Sequence, residues 1–197
     1  MRLAELCDIH SGYTARSRLE LKSDGGTPAI QLRDVGTDGE APGPTFQRYD
    51  LAVLPDRFFV RGGEVLFRSR GEPNTATAVV DALAEPAAVI VPLVIIRPNR
   101  KRLLPEYLAW AINQPEAQRR LAAEAQGTSL RMIPMAVLER LEIAVPDLQT
   151  QRRIVDLNTL VKREGRLLRE LAARREQLVS LALGQAANLA DQKETAR

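Results

Sequence analysis

At 197 residues, with 45% hydrophobic residues and a single cysteine, the chain can form one domain of ordinary size plus an appendage, and it cannot form an internal disulfide. Its net charge of +3 is too small to demand a nucleic-acid partner, and it is unevenly spread: residues 1–150 hold 18 Lys or Arg against 19 Asp or Glu, and residues 151–197 hold 10 against 6. No run approaches the ~18 apolar residues of a membrane span, and Met1-Arg2-Leu3-Ala4-Glu5 lacks the apolar core of a signal peptide, so no membrane role is expected and the expected location is cytoplasmic.

In chain order, Leu3 to Ile9 is an apolar stretch expected as a strand or short lead-in that buries Cys7 as an inert thiol. Ala29-Ile30-Gln31-Leu32-Arg33 alternates as a half-buried strand does. Gly36 to Pro44 is turn-rich and predicts an exposed loop. Glu64–Arg68 and Ala76–Val80 predict two strands joined by Ser69 to Thr75. Ala87–Ile96 is β-branched and apolar, interrupted at Pro92, and predicts buried strand. Pro105 and Pro115 each suit the first turn of a helix, over Glu106–Asn113 and Glu116–Ala125. Gly127-Thr128-Ser129 breaks the chain; Pro134–Arg140 is expected as a short helix and Leu141–Val145 as a return strand. The class is α+β, with a strand-rich domain over residues 1–146.

From Asp147 the pattern changes. Asp147 suits an N-cap, and no proline follows as far as Leu183. Ile154, Leu157, Val161, Glu164, Leu168, Leu171, Arg175, Leu178 and Ala182 step alternately by three and four, the a/d spacing of a coiled coil. A helix over 147–184 is expected, roughly 55 Å long at 1.5 Å per residue. Its stripe is too long for a domain of this size to cover, so a second copy is expected as the partner. Glu164 and Arg175 interrupt the stripe eleven residues apart; in an antiparallel pair centred on the helix midpoint, residue 165, they do not face each other. Residues 185–197 are polar and expected to be disordered.

The sequence offers little to catalysis. Its one histidine, His10, precedes Ser11-Gly12 in an expected loop. There is no phosphate-binding loop and no G-x-G-x-x-G. The Asn-Pro-Pro-aromatic tetrapeptide of amino-methyltransferases is also missing. Pro55-Asp56 followed by Glu64-Val65-Leu66 has the outline of a nuclease motif, but Leu66 stands where a lysine would be needed beside the metal. The expectation is a protein that is not an enzyme, with no metal and no cofactor.

Three stretches together resemble the specificity (S) subunits of type I restriction–modification systems. Ile9-His10-Ser11-Gly12-Tyr13-Thr14 resembles the family's opening I-x-S-G-x-T element. Gly63-Glu64-Val65-Leu66-Phe67 resembles its G-D-(I/V)-L-(F/V) segment. Gly127-Thr128-Ser129, then Leu138, then Ile143 to Val155 (IAVPDLQTQRRIV) resembles the run that leads into the family's long helix. The resemblance implies a sequence-specific DNA recognition subunit, non-catalytic itself, that positions DNA methyltransferase subunits using S-adenosylmethionine, and a restriction subunit, on double-stranded DNA. Full S subunits carry two target recognition domains and two such helices; this chain has one of each. The resemblance therefore implies a half-length form: one target recognition domain on one helix, paired as an antiparallel coiled coil in a homodimer, reading two half-sites across an unread spacer.

Base and phosphate readers must be donors. Arg68, Arg70, Asn74 and Thr75 flank one inter-strand loop and suit guanine and adenine edges; an ordinary charged hairpin is the plain alternative. Thr128, Ser129 and Arg131 suit phosphate, or else a capped helix junction. Tyr13, Thr14, Arg16 and Arg18 form a third polar, basic loop, with an exposed turn as the favoured reading; Arg33 ends a strand. Ile154, Leu157, Val161, Leu168, Leu171 and Leu178 are assigned to the dimer seam. Two rival readings stand beside this one. One is a homodimeric coiled-coil module that binds protein and has no DNA role. The other is a small hydrolase using Asp56 or Glu64.

Overall fold

The structure is a computed structural model. It describes the chain apart from residues 23, 37–42, 44, 80, 82, 128, 129, 196 and 197, with backbone only over 186–195. In chain order the strands are β1 (Cys7–Ser11), β2 (Thr27–Ile30), β3 (Arg48–Tyr49), β4 (Phe59–Val60), β5 (Val65–Arg68), β6 (Ala76–Ala78), β7 (Ala87–Val89) and β8 (Leu93–Pro98). The helices are α1 (Pro105–Ile112), α2 (Pro115–Ala123), α3 (Met135–Arg140) and α4 (Leu148–Thr195). Two compact units result, residues 1–155 and residues 156–197. Among the described residues no helix is long and apolar enough to cross a membrane.

The first unit is layered because one sheet is apolar on both faces. That sheet is antiparallel, in the order β1-β8-β5-β6. On β5 and β8, Val65, Phe67, Val94 and Ile96 point into a cluster shared with Tyr107, Leu108 and Ile112 of α1, Leu121 of α2 and Leu138 of α3. The alternate residues Leu66, Leu93 and Ile95 point the other way, into a cluster with Ile30, Val60 and Val89 of the second sheet. Side chains alternate along a strand, so a strand covered on both sides reads as an unbroken apolar run. This is why Leu93 to Ile96 carries no polar residue. The second sheet has the order β3-β2-β7-β4, with β2 and β7 parallel.

Several expectations hold and several shift by a residue or more. Pro105 and Pro115 open α1 and α2, and Pro134 precedes α3. Pro92 separates β7 from β8. The lead-in is a 3-10 turn (Leu3–Glu5), and His10 lies on β1 opposite Ile95 rather than in a loop. Ala29–Arg33 is not one strand: β2 ends at Ile30 and Leu32–Asp34 is a second 3-10 turn, capped as Asp34 Oδ2 accepts from Gln31 N at 2.8 Å. The expected return strand at 141–145 is reduced to an isolated bridge, Arg2 to Glu142. Most of the 36–44 loop, and Val80, lie outside the described residues. Cys7 is buried, and that burial, with the Asp8 charge beside it, pushes its thiol up to about 12.

Asp147 caps α4. Its carboxylate accepts from Thr150 N at 3.0 Å, from the Thr150 hydroxyl at 2.7 Å and from Gln149 N at 2.9 Å, and these bonds, those from Thr150 foremost, hold its carboxyl below the usual range. The helix runs past Gly184, where the sequence reading ends it, to Thr195. One glycine among good helix formers costs only about 1 kcal/mol, which does not stop a helix.

Gly12 shows why its motif needs glycine. A Cβ there would lie 2.8 Å from Leu93 O, 2.9 Å from Ile90 C and 2.9 Å from Val89 O. All three are backbone atoms, which cannot rotate aside. Gly12→Ala is therefore expected to lower stability by roughly 1–3 kcal/mol, read by chemical denaturation; a wild-type midpoint would contradict this packing.

Candidate functional site

The turn Ile90–Pro92, between β7 and β8, gathers the expected donor loops at one end of the first unit. Gly12 N donates to Leu93 O (2.9 Å), Tyr13 N to Val89 O (2.7 Å), and Val91 N to Tyr13 O (3.1 Å). Ser69 N and Ser69 Oγ both donate to Pro92 O, at 3.1 and 2.6 Å. Ile133 N donates to Ser69 O (2.7 Å) and Gly71 N to Arg131 O (3.1 Å). The loops beginning at Tyr13, Arg68 and Gly127, separate in sequence, thus become neighbours through backbone bonds. Gly127 adopts a positive φ of 103° there; Thr128 and Ser129 lie outside the described residues.

Within this cluster the expected readers divide into two kinds. Arg68 is turned inward: its Nη1 donates to Leu32 O (3.0 Å) and Val35 O (2.6 Å). Asn74 is buried, its Nδ2 donating to Arg68 O at 2.9 Å while its backbone carbonyl accepts from Gln118 Nε2 at 3.0 Å. Thr75 places its hydroxyl in the interior. These three shape the loop. Arg70 and Arg131 are exposed and adjacent. Arg70 bridges to Met132, and Arg131 Nη2 donates to Ala122 O at 2.9 Å, near the end of α2.

Arg33 reaches the same end from the second sheet. It is exposed, and its Nη2 donates to Gln47 Oε1 (2.8 Å) and to the Tyr49 hydroxyl. With Gln31, Gly36, Arg68 and Val91 it lines a groove beside the Ile90–Pro92 turn. Tyr13 is held half-buried by an edge-on contact with Phe58, ring centroids 5.6 Å apart, and Arg57 covers the same Phe58 ring. Arg16 and Arg18 are exposed.

Charge pairing sharpens the division. Arg48, Arg61, Arg97, Arg100, Arg119, Arg120 and Arg140 each meet a carboxylate of the chain itself. Among the described residues, Arg16, Arg18, Arg70 and Arg131 meet none within 4.0 Å. An uncompensated guanidinium is available to an external anion. The nuclease-like pair is different. Asp56 binds Arg61 at 2.6 Å, which holds its carboxyl below the usual range, and Glu64 binds Arg97 at 2.8 Å. Both carboxylates act as arginine anchors, and among the described residues no cluster of three or more His, Cys, Asp or Glu is placed to hold a metal.

Two features escaped the sequence reading. The Ile90–Pro92 turn carries no polar side chain to mark it. Gln151 sits on α4 with no exposed surface: its Oε1 accepts from Leu104 N (2.9 Å), and its Nε2 donates to Arg102 O (2.8 Å) and Pro146 O (2.7 Å). Its position in the Q-R-x-I-V element was the one available signal. Ile154, expected in the seam, is half-buried against the core of the first unit. Leu157, Val161, Leu168, Leu171 and Leu178 are 57–67% exposed.

The family model described as the type I restriction modification DNA specificity domain matches residues 1–168. Among solved structures, the chain is similar to the HsdS subunit from Thermoanaerobacter tengcongensis (21% identity, TM-score 0.59, covering 83% of this chain and 37% of that one). It is also similar to a chain from a structure of complex assembly and conformational transition in a type I R-M system (22%, 0.66, 89% and 41%). A third is the type I restriction-modification S subunit from M. genitalium (16%, 0.55, 83% and 38%). At these identities the likeness is one of fold, and the chain spans about two fifths of those chains' length. No curated protein matches significantly.

Proposed function

Because the chain belongs to the type I restriction modification DNA specificity family, matched over residues 1–168, we propose that it is a half-length specificity subunit that reads one half of a bipartite DNA site. Residues 1–146 are its target recognition domain and residues 147–184 its spacer helix. Two copies joined by that helix present two identical readers, so the target is an interrupted inverted repeat. The chain supplies recognition only. Methyl transfer from S-adenosylmethionine belongs to methyltransferase subunits, and cleavage to a restriction subunit, that it positions on the DNA. The observation that carries this reading is the family match. It is supported by the exposed Arg70 and Arg131 at one end of the first unit, which meet no carboxylate among the described residues.

Within that end, Arg70 and Arg131 contact bases and phosphate, with Thr128 and Ser129, close to Arg131 in sequence, adding hydroxyl donors. Arg33, Tyr13 and Arg16 form the other edge of the contact. Arg68, Asn74 and Thr75 hold the reading loop in shape from inside. Selection from random double-stranded DNA by the full chain should enrich an inverted repeat with one fixed spacer length. Arg70→Ala and Arg131→Ala should each weaken binding to that site by about tenfold or more, the range of one bidentate base contact. A lost phosphate contact should also lower the salt dependence by about one charge. Selection without enrichment, and binding indifferent to salt, would sink this reading in favour of a protein-binding module.

A further inference from the structure

The second unit carries an apolar stripe with two charges in its middle, and the positions of those charges are self-complementary. On α4, Leu157, Val161, Glu164, Leu168, Leu171, Arg175, Leu178 and Ala182 follow alternating steps of four and three and share one face. Glu164 has only Leu160, Val161, Leu167 and Leu168 at helical distances of three and four; Arg175 has Leu171, Ala172, Leu178 and Val179. Neither charge therefore has an opposite charge to meet on its own helix at those spacings. Eleven residues are about three turns, so both point the same way.

We propose that a second copy of this chain covers the stripe in one antiparallel register, with its two-fold axis midway between Arg169 and Glu170, locked by Glu164 of each copy against Arg175 of the other. This rests on the homodimer put forward above and specifies it. In this register Leu168 faces Leu171, Val161 faces Leu178 and Leu157 faces Ala182 of the partner. Every layer is then apolar or oppositely charged. The place where the free stripe begins agrees with this axis. Ile154 and Val155 are packed on the core of the first unit, and the second unit begins at Asp156. The stripe left to pair runs from Leu157 to Ala182, and its midpoint is that same place. Residue 165, the midpoint of the shorter helix expected from the sequence, counts turns that pack on the first unit.

Other registers are excluded by the two charges. Slipping by one heptad sets Glu164 against Leu168 or against Ala182, and Arg175 against Leu157 or Leu171. A parallel pair sets Glu164 against Glu164 and Arg175 against Arg175. A charge buried without its partner is costly, and polar residues at single core positions are known to fix register in this way.

The test is sedimentation equilibrium on the full chain and three variants. Wild type is expected to dimerise. Glu164→Arg and Arg175→Glu should each raise the dimer dissociation constant by about tenfold or more, and the combined exchange should restore it to near wild type, because coupled partners are non-additive. The substitutions lie in the second unit, on exposed helix, so the first unit's fold is not at issue. A wild-type dimer whose combined variant is as weak as the two single effects added, or whose single variants are unchanged, overturns the register and leaves the homodimer standing. A wild-type monomer overturns both.

Discussion

Replacing Gln151 with leucine is expected to destabilise the first unit by about 3 kcal/mol, three internal hydrogen bonds at roughly 1 kcal/mol each. Gln151 has no exposed surface and answers the Leu104 N–H and the Arg102 and Pro146 carbonyls. Leucine fills similar volume but leaves all three backbone groups without that partner. A buried amide or carbonyl that loses its partner bears the cost of lost hydration with no return. Glutamate is expected to be no better: one oxygen still accepts from Leu104 N, but the other meets two carbonyl oxygens where an amide NH2 stood. For a domain of this size, 3 kcal/mol corresponds to a fall in Tm of roughly 6–12 °C. Thermal denaturation of both variants checks it, and a shift under about 2 °C would mean these bonds add nothing in solution.

Gln151 also marks how far sequence reasoning reaches. Patterns that depend on one element alone were legible. The heptad stripe of α4, the prolines opening α1 and α2, the Asp147 cap and the apolar run of β8 all follow from local period and local chemistry. What was hidden depends on two distant segments meeting. Gln151 reads as one polar residue on a polar helix until Arg102 and Leu104 are brought beside it. Arg68 and Asn74 read as donors in a turn until Leu32, Val35 and Gln118 engage them. The two-residue strands β3 and β4 are too short to carry a period at all, and exist because β2 and β7 offer them edges.

The same distinction explains the candidate site. Each donor loop was visible in the sequence as glycine, hydroxyl and arginine close together. That the three loops share one end of the domain was not visible, since the connection runs through backbone groups of Val89–Leu93 and of Ser69 and Gly71. Backbone bonds carry no residue signature. The division between Arg70 and Arg68 is also tertiary: they are two residues apart, one facing solvent and the other the Leu32–Val35 turn.

The second large effect is expected from the stripe. Leu168→Asp with Leu171→Asp should convert a dimer of twice 21.8 kDa into a monomer, read by light scattering. The two leucines are 59% and 64% exposed in the single chain. About 25 cal/mol per Å² is gained when such surface is buried, and four carboxylates at the centre of a dimer would forfeit that gain and add like-charge repulsion. DNA binding should fall with dimerisation even though no DNA contact is touched. Two linked readers engage the second half-site at a high effective concentration, so losing the link is expected to weaken binding to a bipartite site by about 100-fold or more. Binding to an isolated half-site should be unchanged. That contrast separates the roles of the two units: a variant defective on both sites has a damaged reader, whereas one defective on the bipartite site alone has lost only its partner. A wild-type monomer would redirect the argument, because Leu168 and Leu171 would then face a helix of different sequence, and the second half of the site would be read by another chain.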